Sequence, residues 1–173
     1  RRVEPQGVLK VALPAAFGHT HIATPIPRFA ERYPKIELAL SLSDRSINLI
    51  EEGFDLAIRI AELKDSSLAA RKLAPNRRVV CASPAYLREH GEPHTPQELA
   101  QHNCLVATWE HGFAMTWEYK NPVGKRGSVR VTGRYACDNW EVLREWAMAG
   151  LGVALKSTWD VRRQLGEGLL VPL

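Results

Sequence analysis

Between residues 8 and 60, short apolar runs alternate with stretches of helical spacing, and that order admits few folds. "VLKVAL" (8–13) reads as a strand bounded by Gly7 and Pro14. In "IELALSLS" (36–43), Ile36, Leu38, Leu40 and Leu42 share one face with period two; in "FDLAIRI" (54–60), Phe54, Leu56, Ile58 and Ile60 do the same. Between the first two runs, Ile22, Ile26, Phe29, Ala30 and Tyr33 follow helical spacing up to Pro34. Pro25 and Pro27 leave two readings open: Thr24 caps a helix with Pro25 in its first turn, or an earlier helix is kinked there. "SINLIEEG" (46–53) reads as a short helix closed by Gly53. Strand, helix, strand, helix, strand predicts a parallel sheet with right-handed crossovers.

A second body of the same α/β kind follows. Pro75 and Asn76 carry turn chemistry, and "RRVVCAS" (77–83) reads as a new strand. "PAYLREHG" (84–91) reads as a helix with Pro84 in its first turn, and Thr95 as the cap of a second short helix within 93–102. "CLVAT" (104–108) is a strand; from Trp109 to Arg134 the pattern suggests short antiparallel strands, with turns at Asn121–Pro122 and Gly124. Asp138 and Glu141 suggest a capping box for a helix that lines Leu143, Trp146, Ala147 and Gly150 on one face. "GVALK" (152–156), "WDVRRQLGEG" (159–168) and "LLVPL" (169–173) read as strand, helix and strand. The expected organisation is two α/β subdomains, 1–76 and 77–173, joined at a hinge of Pro75, Asn76 and Arg77.

Composition removes several function classes. No window of eighteen apolar residues predicts a membrane span. The start lacks the apolar segment of a signal peptide, and the three cysteines (Cys81, Cys104, Cys137) are odd in number without CxxC spacing. They predict neither a disulfide framework nor a zinc site, and favour a reducing, cytoplasmic compartment. A net charge of +4 is spread in runs no longer than two or three, which reads as a solvated surface. His19 and His21 lie two apart, and His90, His94 and His102 fall in loops or helix ends. Without a GxSxG elbow they suggest no catalytic triad and no metal site. "GLG" (150–152) follows a helix and leads into a strand, the wrong order for a dinucleotide fingerprint, and Glu51–Glu52 read as a solvated face. No catalytic residues and no cofactor are expected.

The remaining candidates sit at carboxyl ends of strands, where open α/β sheets bind ligands. "PAAFGHT" ends the first strand and "SLSDRS" the second, each leading into a helix. Helix N-termini present free backbone N–H groups, so Ser43 and Asp44 serve either as caps or as ligand contacts. Arg59, near the end of the third strand, either pairs with Asp55 or reaches a ligand. Asp138 and Asn139 begin a helix of the second body. The layout suits a small anionic or polar ligand held between two helix N-termini.

Together, "LSDRSINLIEEGFDLAIRIAELKDSSLAARKLAPNRRVVCASPAYLREHG", "PHTPQELAQHNCLVATW", "GRYACDNWEVLREWAMAGLGVALKSTWDV" and "GLLVPL" closely resemble the effector-binding domain of LysR-type transcriptional regulators, over essentially the whole chain. The resemblance implies a fold like type II periplasmic binding proteins, with two Rossmann-like subdomains around a cleft. It also implies a small-molecule effector in the cleft, a homodimer or homotetramer, and DNA binding through an N-terminal helix-turn-helix. In such dimers the helix before Pro34 and the helix from Asp138 pack across a two-fold axis.

Carried over by position, the effector contacts are Ala15, Ala16, Phe17, Ser43, Asp44, Arg59, Ile60, Cys137, Asp138 and Asn139, with Trp109 as a cleft wall. Two departures bear on the effector. Ala15 and Ala16 stand where many members carry Ser or Thr, so a bound carboxylate would rely on backbone N–H groups with His19 or Thr20 nearby. Asp138–Asn139 replaces the common Asn-Asp and sets an acid where it would repel an anion. In the family the chain continues past the counterpart of Leu173 with a strand that returns to the first subdomain. A solute-binding protein of a transport system shares this fold and is the alternative reading.

Overall fold

The computed structural model describes residues 4–45, 47–61, 67–109, 112–113, 115–121 and 123–173. The chain divides into two compact units, Arg1–Ala74 and Pro75–Leu173.

In the first unit, β1 (Gly7–Leu13) is the centre of a three-stranded sheet, with β2 (Ile36–Leu42) and β3 (Leu56–Ala57) parallel on its two sides. From Pro14 the chain turns directly into helix: α1 (Ala15–Phe17), a π-helical stretch (Gly18–Ile22) and, after a turn, α2 (Ile26–Arg32). Of the two readings left open by the prolines, the interrupted earlier helix is the one that forms. Pro25 and Pro27 lack the N–H groups that would bond the carbonyls of His21 and Ala23, so the α ladder cannot run through. The π bond from Ala23 N–H to the Gly18 carbonyl (2.9 Å) precedes the break, and Phe29 N–H to the Pro25 carbonyl (3.1 Å) restarts the ladder. Gly18 lets the chain pass close to Leu42, whose Cδ2 would lie 2.6 Å from a Cβ there and would have to shift.

The helix expected over 46–53 does not form; Ser46 lies outside the described residues, and 49–53 are hydrogen-bonded turn. A single turn, Glu52 N–H to the Asn48 carbonyl (3.0 Å), is closed by Phe54 N–H on the Leu49 carbonyl (2.9 Å), with Gly53 left-handed at φ +67°. The Ile47 carbonyl, which a helix would offer to residue 51, accepts the Arg59 guanidinium instead. The third strand is also shorter than its 54–60 pattern. The Asp55 carboxylate takes the Lys10 N–H (2.9 Å), so a side chain replaces a ladder bond where the strand would have begun.

The second unit is built on strands β4 (Arg78–Ala82), β5 (Cys104–Trp109), β6 (Gly112–Phe113), β10 (Val153–Ser157) and β11 (Val171–Pro172), in the order β11-β4-β10-β5-β6. β9 (Ala136–Cys137) also pairs with β5, and β7 (Thr116–Lys120) and β8 (Arg126–Arg130) form a separate hairpin. Pro122, expected in its turn, lies outside the described residues.

Alternation along the strands feeds two cores. Ala82, Cys104, Val153 and Leu155 face one with Tyr86, Trp117 and Val129. Cys81, Leu105, Ala107 and Ala154 face the other with Leu143 and Ala147 of α4 (Trp140–Met148) and Val161 of α5 (Thr158–Gly166). Burial on both faces is why these strands read as continuous apolar runs. Helix α3 (Pro84–His90) is capped by Ser83 Oγ, which accepts the Tyr86 N–H at 3.3 Å. The short helix expected within 93–102 is a 3₁₀ stretch, Pro96–Gln101; Thr95 donates to Glu98 (2.9 Å), whose carboxylate reaches back to the His94 N–H (2.8 Å).

Tyr86, 2% exposed, joins α3 to the start of β5. Its hydroxyl accepts the Asn103 N–H (3.0 Å) and lies 3.2 Å from His102 Nδ1, leaving the hydroxyl proton for that nitrogen. Burial above all, then the charge of His90, lowers the His102 pKa, with Glu98 opposing. A lowered folded pKa means stability that is complete above the unfolded value near 6.5 and is lost as pH falls through the folded one. Thermal melts at pH 7.5 and pH 5.5 are therefore expected to show a larger loss for the wild type than for His102→Asn. Equal losses would mean that His102 does not carry this dependence.

Candidate functional site

The first unit brings Ala15, Ser43 and Asp44 together at neighbouring strand ends. Leu13 of β1 is in register with Leu42 of β2, and the Ser43 N–H continues the ladder to the Leu13 carbonyl (3.0 Å). Asp44 then turns back, and its Oδ1 accepts the Ala15 N–H at 3.1 Å. Asp44 does not cap a helix of its own segment, since none forms there; its carboxylate engages an amide at the end of β1 instead. Ser43 Oγ accepts the Arg45 N–H (3.3 Å) and shapes the same turn. Arg45 reaches over to Glu52 with both guanidinium nitrogens, and that hydrogen bonding holds the Glu52 carboxyl below its usual range.

Ala16 is buried, while Phe17 is half-buried with its ring 5.0 Å from that of His21. Arg59 does not pair with Asp55. Its guanidinium is engaged with the Ile47 carbonyl, and the Asp55 carboxylate with the Lys10 N–H. Ile60 follows half-buried.

In the second unit, Cys137, Asp138 and Asn139 join β9 to α4. The expected cap is displaced by one residue: Asn139, not Asp138, caps α4, its Oδ1 accepting Glu141 N–H (2.9 Å) and Val142 N–H (3.0 Å). Pairing of Cys137 with Ala107 of β5 holds the chain extended to this point, so Asp138 stays outside the helix and exposed. Cys137 Sγ accepts the Asn139 N–H at 3.4 Å and lies 3.9 Å from the Asp138 carboxylate. Pro75, Asn76 and Arg77 are exposed and irregular, and the Arg77 carbonyl is anchored by the Thr158 N–H (2.9 Å). Trp109 ends β5, and its side chain lies outside the described part of the structure.

The sequence reading missed a buried charged cluster beside this segment. Lys156 is 1% exposed on β10, and its Nζ donates to Asp160 Oδ2 (2.7 Å) and to the Trp140 carbonyl (2.5 Å). Arg144 holds the other Asp160 oxygen. Burial lowers the Lys156 pKa, and Asp160 opposes the shift. The signal was the strand alternation, which sets Lys156 on the same face as Ala154. Cys81 and Cys104 are buried thiols pushed up to about 11 and about 12 by burial, so neither is an available nucleophile. Among the described residues, no group of three or more His, Cys, Asp and Glu side chains is placed to hold a metal.

Comparison with known proteins gives one answer along the whole chain. A family model described as the LysR substrate binding domain matches residues 2–173. The HTH-type transcriptional regulator DmlR of Escherichia coli (strain K12) is 37% identical over 171 residues, covering 98% of this chain and 55% of that protein. The HTH-type transcriptional regulator CrgA of Neisseria meningitidis serogroup C (strain 8013) is 41% identical over 172 residues, covering 98% and 56%. The solved CrgA regulatory domain, a LysR-type regulator from Neisseria meningitidis, superimposes with a TM-score of 0.80 at 38% identity, covering 98% of this chain and 81% of that one. The chain thus spans about half the length of the curated relatives it matches.

Asn139→Ala removes the acceptor of two α4 amides and is expected to cost about 1 kcal/mol. That corresponds to a melting temperature lower by roughly 2–4 °C. Asp138→Ala, outside the helix, is expected to leave the melting temperature within about 1 °C. The reverse order in melting experiments would return the cap to Asp138.

Proposed function

This chain belongs to the LysR substrate-binding domain family, and from that premise we propose how it works as the effector-sensing domain of a LysR-type transcriptional regulator. The match of the family over residues 2–173 carries the reading. The units Arg1–Ala74 and Pro75–Leu173 act as the two regulatory subdomains, with Pro75, Asn76 and Arg77 as a hinge. The effector is a small polar molecule. The residues proposed to contact it are Ala15, Ala16, Phe17, Ser43, Asp44, Arg59 and Ile60 in the first unit and Trp109, Cys137, Asp138 and Asn139 in the second.

The acids shape what binds. Asp44 already engages the Ala15 N–H, and Asp138 is exposed at the start of α4. A ligand that offers hydrogen-bond donors to these carboxylates suits them better than a simple monoanion does. Binding shifts the population between relative orientations of the subdomains, and a homodimer or homotetramer passes the shift to N-terminal helix-turn-helix domains on DNA. A coupling of roughly 1–3 kcal/mol suffices, about 5–150-fold in relative affinity. The domain senses and does not catalyse. No described helix is long and apolar enough to cross a membrane, in keeping with action on DNA in the cytoplasm.

The test is a thermal-shift screen of small carboxylic acids, hydroxy acids, amines and amides. A ligand at 100 times its Kd is expected to add about 2.7 kcal/mol of stability. Ser43→Ala and Asp44→Ala are expected to reduce that gain while circular dichroism stays that of the wild type. Undiminished gains in both variants would move the site elsewhere. Light scattering at high protein concentration is expected to report a dimer or larger, and a purely monomeric species would contradict the proposed relay.

A further inference from the structure

Lys156 occupies a core position. It lies on the β10 face that holds Ala154 against α4 and α5, where an apolar side chain would pack without taking a charge out of water. Both oxygens of Asp160 are taken, one by Lys156 and one by Arg144, so the acid has a cation partner besides Lys156. Lys156 also supplies a link to the first turn of α4. Its Nζ donates to the Trp140 carbonyl at 2.5 Å and sits 5.1 Å from the centre of the Trp140 ring.

Helix stability does not explain that placement. The start of a helix carries the positive end of the macrodipole, where a cation has the wrong sign. What lies at that start is Cys137–Asp138–Asn139, whose geometry depends on the same turn through Asn139 Oδ1 and the Asn139 N–H on Cys137 Sγ. Arg78, directly after the Pro75–Arg77 connection, lies 5.7 Å from the same Trp140 ring. One indole therefore meets both the buried lysine and the first residue of β4.

We propose that Lys156 is the positioning residue of the effector-contact segment: its buried ammonium, held by Asp160, fixes the Trp140 turn and with it Cys137, Asp138 and Asn139. The inference rests on the reading of that segment as an effector contact, but its test uses no effector. A failed ligand screen would leave it standing, and its own failure would leave the effector reading standing.

Cys137 is a built-in probe of the segment because it is half-buried, whereas Cys81 and Cys104 are fully buried and report global opening. The rate of thiol modification by 5,5′-dithiobis(2-nitrobenzoate) is measured under native conditions. Lys156→Met is expected to speed Cys137 modification about tenfold while Cys81 and Cys104 stay unreactive, and Lys156→Arg, which keeps a buried donor, to restore most of the wild-type rate. Val161→Ala, a cavity in the same core, is expected to leave the Cys137 rate unchanged. A Cys137 rate in Lys156→Met no higher than in Val161→Ala would overturn the proposal, as would all three thiols opening together. Should Lys156→Met not fold, hydrogen exchange of the wild-type chain decides. The Glu141 and Val142 amides are expected to exchange only as slowly as those of β10, and ordinary fraying of the first α4 turn would contradict the assignment.

Discussion

Everything in the second unit depends on β10 being buried on both faces. Its Val153 and Leu155 side chains close one core with Tyr86 and Trp117, and Ala154 with its neighbours closes another against α4 and α5. β10 also pairs antiparallel to β4 over Arg78–Cys81 and parallel to β5 at its first residues, Cys104 and Leu105. The start of α4 inherits its position from this arrangement: β9 pairs with β5, and β10 supplies the lysine beneath the Trp140 turn. A strand with two cores tolerates little slippage, because a shift of one residue exchanges its faces. It is a rigid base for the segment that leads into α4.

The first unit solves the corresponding problem electrostatically. Backbone N–H groups at the end of β1 would attract any passing anion, and α1 is only three residues long. Asp44 answers the first of these amides from the next strand end, and Ser43 and the Arg45–Glu52 pair hold the turn that carries it. Asp44 thus ties the end of β2 to the end of β1, and the proposed preference for donor-bearing effectors follows from a carboxylate at that place.

How much of this was legible varied with the range of the interaction that decided it. The strands read at 8–13, 36–43, 77–83, 104–108 and 152–156 all form, to within one residue at each end, because burial on the sheet writes continuous or alternating apolar runs into the chain. The helix read over 46–53 does not form, and the Ile47 carbonyl is engaged by Arg59, twelve residues away. The α4 cap was missed by one residue: D-x-x-E spacing suits Asp138, but pairing of β9 with β5 makes Asn139 the first free cap. Lys156 escaped because a lysine ending a strand reads as exposed, and only the tertiary packing of α4 and α5 covers it. Family resemblance pointed to the strand ends proposed as the site, but the hydrogen bonds made there were visible only in three dimensions.

The proposed function has one small molecule engage both units. Hydrogen exchange of the chain with and without the most stabilising compound of the screen tests it most directly. The account predicts slowed exchange in both places at once, around Ala15–Phe17 with Ser43–Asp44 and around Cys137–Asn139. Protection confined to one unit, or lying outside these segments, would contradict it.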